Sequence, residues 1–386
     1  LQNMNAPVPL TRTTDAIGQF SFNAAMNQDY QLSASKNDDP LNGVSTIDIA
    51  LIQQHILGLG VVEDPYQLIA ANVNDDDRIT GADIIDIRRV ILGLEANFPS
   101  NESWRFVDAT ESLVNGVLPR AYAETIELNN MSTNMTAQDF VAVKVGDLSG
   151  DVEPNSLMAK EVEGRTAALI LEADDAVVES GEEVSVAVTS AMFKEVLGYQ
   201  LTLGFDASAM SFAGVESGAL EISGSNVGVF ADKGQLTMSW NDVVAQDVSA
   251  DEVLFTLNFR ASADARLSES LYVNSSITRT EAYVGGNETG VELRFTGAEA
   301  EFALYQNVPN PFEGRTVIGF NLPEAGTATM TIYDVTGKVL REIDGEYAKG
   351  YNQIDLMRTD LNASGVVYYQ LTSGEYSATK KMIVIE

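Results

Sequence analysis

The chain of 386 residues carries 56 Asp and Glu against 23 Lys and Arg, a formal net charge of -33. So little positive charge excludes nucleic acid and anionic membrane as partners, because nothing offsets the phosphates. There is no cysteine to form disulfides and no run of eighteen apolar residues to make a membrane-spanning helix. A hydrophobic content of 45% over this length supports about two to four domains with their own cores. The N-terminus lacks the basic and apolar regions of a signal peptide, which in a secreted protein indicates a C-terminal portion or a processed product.

Residues 1–35 read as the closing strands of a β-sandwich module. Gly18–Phe22 and Tyr30–Ala34 alternate as strands do, and two strands need a following segment to pack on. Residues 36–150 contain an internal repeat. Asp48-Ile-Ala-Leu-Ile-Gln-Gln-His-Ile-Leu-Gly-Leu59 recurs 35 residues later as Asp83-Ile-Ile-Asp-Ile-Arg-Arg-Val-Ile-Leu-Gly-Leu94. Apolar spacings of three and four predict two helices, with stripes Ile49, Ile52, His55, Ile56, Leu59 and Ile84, Ile87, Val90, Ile91, Leu94, and with Gly58 and Gly93 as C-terminal caps. Two such helices bury their stripes most simply against each other.

Each helix follows an acidic, amide-rich loop of twelve positions. In the second, Asn72, Asn74, Asp76, Thr80 and Asp83 occupy positions 1, 3, 5, 9 and 12, with Arg78 at position 7 and Ile79 at position 8. This is the layout of an EF-hand-type calcium loop, and carboxylates held so close repel one another without a hard cation. Position 12 is Asp rather than Glu, and position 6 is Asp77 rather than Gly. In the first loop Leu41 replaces the oxygen ligand at position 5, leaving Asn37, Asp39 and Asp48 as ligands, with Asn42 and Asp38 as further candidates. Asp147-Leu-Ser-Gly-Asp-Val-Glu153 restarts the oxygen-rich spacing without a following helix, so Asp147 is expected to fold back and complete the first loop. The alternative is a helical hairpin with solvated acidic loops. His55, the single histidine, reads as a rim residue of the helix pair rather than a transition-metal ligand.

Short strand-like runs at Ser103–Val107, Glu124–Leu128 and Asp139–Asp147 extend this module, and residues 151–164 read as a linker. From 165 to 298 the period is two, with eight candidate strands between Ala167 and Phe295. Leu169, Val186, Leu201, Leu203, Phe205, Met238, Trp240, Phe255, Leu257 and Phe259 are among its expected inward residues. Trp240 is placed in the core, with a sugar-binding platform as the alternative. Residues 299–386 are again strands, punctuated by proline and glycine turns such as Tyr333-Asp-Val-Thr-Gly-Lys338. The fold class is therefore mainly β and multidomain, with one small α-helical module, a β-sandwich or jelly roll, and a C-terminal Ig-like β-sandwich.

These patterns resemble known families. The loop-helix repeat ending in Ile-Leu-Gly-Leu resembles the dockerin domain of secreted Bacteroidetes proteins, which implies Ca2+ binding. Gly198-Tyr-Gln-Leu-Thr-Leu-Gly-Phe-Asp206, Met238-Ser-Trp240 and Leu254-Phe-Thr-Leu-Asn-Phe-Arg260 resemble a cohesin domain, a jelly-roll sandwich that binds dockerins through one sheet face. Tyr305-Gln-Asn-Val-Pro-Asn-Pro-Phe312 and the strands after it resemble the type A C-terminal sorting domain of the type IX secretion system. That resemblance implies contact with the type IX machinery and a secreted or outer-surface, extracellular location. Thr14–Phe22 resembles the closing strands of carboxypeptidase-regulatory-like modules.

No nucleophile elbow, phosphate loop or zinc motif appears, and the carboxylates of the sandwich are spaced as turn and surface residues. The expected function is a non-catalytic, calcium-stabilised structural or adhesion region. The alternatives are a carbohydrate-binding accessory region of a glycan-degrading enzyme and a filament-forming scaffold. Partners follow: an intramolecular or intermolecular cohesin–dockerin-like contact, or another cell-surface protein or glycan. Arg88 and Arg89, rare positive charges on the second helix, are the expected partner-contact residues.

Overall fold

The computed structural model describes residues 1–4, 9–153, 168–297, 302–305, 307, 310–312, 314–361 and 363–385. Most of the expected linker at 151–164 lies outside the described residues.

Helix α1, Thr46–Ile56, begins at Ser45 with a capping box closed by Asp48. Helix α3, Gly81–Ile91, begins at Thr80 with the same box closed by Asp83. Between them lies α2, Pro65–Ala71, started by Asp64 and by proline at its first position. Both long helices end in left-handed glycines, where Leu59 N–H bonds Gln54 O and Leu94 N–H bonds Arg89 O. Ile49, Ile52, Ile87, Val90 and Ile91 share one core with Ile69 and Val73, while Ile56, Leu59 and Leu94 at the helix ends stay exposed. The imidazole Nδ1 of His55 accepts Val62 N–H at 3.1 Å and fixes the turn after α1.

Strands Trp104–Asp108 and Phe140–Lys144 pair beneath the helices. Tyr30–Ser33 pairs with Thr125–Leu128, so the first 35 residues pack on chain that follows the helices, as two lone strands require. Gly18–Phe22, expected as a strand, is irregular, although Phe20 and Phe22 still pack on Tyr30 and Leu32.

The central domain is one ten-stranded sheet curled on itself around a core that includes Leu201, Leu203, Met238, Trp240, Phe255 and Phe259. Its first strand, Ala168–Asp174, lies parallel to its last, Asn287–Thr296. One half of the sheet runs Glu281–Val284, Phe193–Phe205, Gln235–Val248, Val227–Phe230 in order, with Leu271–Asn274 also on Phe193–Phe205. The C-terminal domain packs a three-stranded sheet on a four-stranded one around Ile318, Phe320, Met330, Ile332, Tyr369 and Met382. Tyr351 joins it to the central domain, lying edge-on to Phe295 at 5.9 Å and stacked with Tyr305.

Candidate functional site

The two loops place their ligand candidates differently. In the second, Asp83 is fully buried and accepts Thr80 N–H at 2.8 Å and Asn74 N–H at 3.2 Å. Asp76 N–H lies 3.2 Å from both Asn72 Oδ1 and Asn74 Oδ1, and Asp76 Oδ1 accepts Arg78 N–H. Hydrogen bonds thus link Asn72, Asn74, Asp76, Arg78, Thr80 and Asp83 within this one loop. In the first, Asn37 instead accepts Ser103 N–H, Asn42 is tied to the Glu153 backbone, and Asp39 is exposed. Asp48 is met by the later segment: its Oδ1 accepts Leu148 N–H and Ser149 N–H, both at 2.8 Å, with Asp147 beside it. Burial pushes the Asp48 carboxyl up to about 7 against the pull of the Ser149 amide, with the Asp147 charge adding to the rise. Burial likewise raises Asp83 and Asp147.

Among the described residues no group of three or more His, Cys, Asp or Glu side chains is gathered to hold a metal. The second loop offers two carboxylates together with amide, carbonyl and hydroxyl oxygens, an all-oxygen set of the kind a hard cation accepts.

The start of α1 and the far end of α3 bring the helical module onto the central sheet. Thr46, fully buried, gives both its N–H and its Oγ1–H to Gln200 Oε1 at 2.8 Å, and its Oγ1 lies 2.8 Å from Ser239 Oγ. Tyr283 OH bonds Ser45 Oγ at 2.7 Å and Glu281 at 2.7 Å. Gln54 reaches Val243 O. Asn241 sits between the two helices, accepting from Arg88 at 2.6 Å and donating to Gln53 at 2.7 Å. At the far end the hydroxyls of Thr278 and Thr237 satisfy the terminal carbonyls of Ile91 and Leu92. These carbonyls have no partner within their own helix, so the sheet caps α3 as Gln200 caps α1. A Cβ at Gly198 would lie 3.1 Å from Thr46 Cγ2, so the bare strand is what lets the helix come so near.

Arg88 thus lies in the contact and Arg89 does not; it pairs with Glu95 on its own module. Sequence reasoning did not find Gln200, Ser239, Thr237, Thr278 and Tyr283. Polar residues on an otherwise apolar strand, as in Gln200 and Thr202 between Tyr199 and Leu203, were the available signal.

The cohesin domain family matches residues 169–291, the stretch that forms this sheet. The chain carries a cohesin domain. A secretion system C-terminal sorting domain matches residues 307–385, of the type IX kind, so the protein is secreted or held at the cell surface. A cohesin from Clostridium acetobutylicum is 17% identical over 34% of this chain and 89% of its own, with a TM-score of 0.25. The sixth cohesin of Acetivibrio cellulolyticus scaffoldin B, solved with a dockerin, is 18% identical over 33% of this chain and 94% of its own, with a TM-score of 0.26. A type II cohesin from Bacteroides cellulosolvens is 12% identical over 33% of this chain and 96% of its own, with a TM-score of 0.25. No curated protein matches the chain.

Within the cohesin domain Trp240 is buried, edge-on to Phe193 at 6.0 Å and 5.6 Å from Tyr199. Its ring is core, which removes it as a sugar platform. A cleft of about 630 Å3 separates the cohesin and sorting domains. Its carboxylates are engaged: Glu292 with Arg294, Asp355 with Arg315, Asp175 with Arg266, Glu172 with Ala191 N–H and Glu346 with the Thr327 hydroxyl. Cohesin and sorting domains are non-catalytic adhesion and export modules.

Proposed function

We propose that this region is a rigid, calcium-stabilised structural element of a secreted surface protein, in which a dockerin-like helical module docks on the cohesin domain of its own chain. The observation that carries this reading is the buried cluster of Thr46, Gln200 and Ser239, because such polar groups are tolerated inside only when they satisfy one another. A helical pair whose Thr46 N–H and Ile91 and Leu92 carbonyls are all capped from the central domain is matched to that domain. The face a cohesin domain would offer to an incoming module is then occupied in cis. The flanking β domains become one stiff body.

Calcium enters at the second loop, held by Asn72, Asn74, Asp76, the Arg78 carbonyl, Thr80 and Asp83, and at a composite first site built on Asp48 and Asp147. The first loop runs directly into the start of α1, which touches the cohesin domain, and the second into α3, whose far end touches it, so an ion at either would neutralise buried carboxylates and hold the docking surface in shape.

Light scattering at micromolar protein with and without EGTA tests the in-cis contact. A monomer in calcium is expected; calcium-dependent oligomers would overturn this reading in favour of contacts between chains. Calorimetric calcium titration tests the sites, and absence of any binding heat would refute them.

A further inference from the structure

The three-stranded sheet of the sorting domain runs Ala303–Leu304, Arg315–Leu322, Gly350–Met357, so Gly350–Met357 is an edge strand. The register fixes which of its backbone groups face outward. Tyr305 N–H bonds Gly319 O and Arg358 N–H bonds Gly314 O. Along Arg315–Leu322 the odd-numbered residues therefore bond toward Ala303–Leu304 and the even-numbered ones toward the edge strand, where their partners are Leu356, Ile354, Asn352 and Gly350. Tyr351, Gln353, Asp355 and Met357 turn their N–H and C=O groups the other way. Met357 N–H is taken by Asp360. Among the described residues Tyr351, Gln353 and Asp355 meet no further strand, and all three line the cleft of about 630 Å3 between the sorting and cohesin domains.

Proteins blunt exposed edges with lysine, proline or a bulge. From Tyr351 to Asp355 this edge has no lysine and no proline, and its register is unbroken. It extends about 13 Å at ordinary strand rise. A row of unpaired backbone groups set in a cleft is a template for one more strand.

The side chains around it select the strand by charge. Glu172 and Glu292 on the cohesin wall and Glu346 and Asp355 on the sorting wall each use one carboxylate oxygen and keep the other unbonded. They are not gathered to hold a metal. Asn321, opposite Tyr351 in register and 4% exposed, adds a side-chain Oδ1 without a partner. The lining cations are Arg294, already paired with Glu292, and Lys349. Acceptors spread along both walls suit a ligand that carries donors along its length. The rings of Tyr351 and Tyr347 are packed on Phe295, Tyr305 and Phe320, which argues against a stacked sugar.

We propose that this cleft binds an extended basic peptide, which adds as a strand to Gly350–Met357 and sets Lys or Arg side chains against Glu172, Glu292, Glu346 and Asp355. The site is separate from the docking of the helical module and does not depend on it.

The probe is a short fluorescein-labelled peptide of alternating Lys and Thr, titrated into the full chain by anisotropy. The same peptide methylated at every backbone amide keeps the charge and loses the strand hydrogen bonds, so it should bind at least ~10-fold more weakly. Gln353→Pro removes one outward N–H and no bond within the sheet, and should weaken the unmethylated peptide by about 10-fold. Glu172→Gln with Glu346→Gln should weaken it by about twofold or more. Equal binding of the methylated peptide would overturn strand addition and leave only attraction between opposite charges; this comparison uses the unsubstituted chain and stands even if Gln353→Pro fails to fold. No binding of the Lys and Thr peptide, or equal binding of one with Glu in place of Lys, would overturn the site. Exchange of the Tyr351, Gln353 and Asp355 amides should slow when the peptide is added, and unchanged exchange would overturn its location. Dimers of the chain that vanish in Gln353→Pro would make a second copy the occupant of the edge and overturn the basic peptide.

Discussion

Replacing Thr46 by Val and Ser239 by Ala, singly and together, isolates the energy of the contact between the helical module and the cohesin domain. Val keeps the methyl that lies over Gly198 and removes only the hydroxyl, so little packing is lost. Both positions are fully buried; Thr46→Val strands the Ser239 hydroxyl, whereas Ser239→Ala leaves Thr46 Oγ1–H its bond to Gln200 Oε1. Such an orphaned group costs about 1–3 kcal/mol, whereas removing both partners is nearly neutral. Thr46→Val should therefore lose about 1–3 kcal/mol in urea unfolding and Ser239→Ala less, and the double variant should lose less than their sum by about 1 kcal/mol or more. In a cooperative unit of this size, each 1 kcal/mol appears as a fall of roughly 2–4 °C in Tm. Strictly additive losses would refute the contact, because residues on separate, undocked surfaces do not couple.

Three further outcomes follow from the geometry. Asp83→Ala removes both the capping-box partner of α3 and the position-12 ligand, so calorimetry should show one fewer calcium-binding event and a calcium-dependent gain in unfolding free energy smaller by about 2–3 kcal/mol at saturating ion; an unchanged titration would clear Asp83 of that role. Glu281, fully buried beside Arg279, Glu288 and Tyr283, has its carboxyl pushed by burial up to about 6 from 4.5. The folded chain thus holds that proton more tightly than the unfolded chain, so the group favours folding below pH 4.5 and this contribution is lost as pH rises to about 6. The stability of the wild type relative to Glu281→Gln should fall across this window, and parallel pH profiles would contradict the assignment. Trp240→Ala should cost about 3–5 kcal/mol as a core truncation; a folded variant of normal Tm with altered glycan retention would restore the sugar platform.

Helices α1 and α3, their glycine caps and their apolar stripes were legible because period 3.6 and capping chemistry are local properties of the chain. So were the cohesin core and Trp240's place in it, since alternation sets which face is inward. The strands Val227–Phe230 and Glu281–Val284 were not expected, and both belong to the half-sheet that receives the helices. Their short runs owe their conformation to neighbours rather than to pattern. Helix α2 was missed as well, being only seven residues long. At the docking face the sequence marks Arg88 as unusual by its charge. Gln200 and Ser239 look like ordinary strand residues, and Thr278 like a turn residue, until partners about 150 or more positions away are brought to them. The return of Asp147 to the first loop could be guessed from its oxygen-rich spacing, while the engagement of Asn37 by Ser103 could not, because nothing local links them.

The parallel pairing of the first and last strands of the cohesin domain bears on how a surface protein carries load. Tension enters at the start of Ala168–Asp174 and leaves at the end of Asn287–Thr296, pulling the two strands lengthwise past each other. Seven register pairs from Gly290↔Ala168 to Thr296↔Asp174 then bear the force together instead of parting one by one. Single-molecule pulling through the domain should give one high rupture peak, and gradual yielding at low force would show that the pair is not in shear. One high rupture peak would mark the domain as a link able to carry force along the chain.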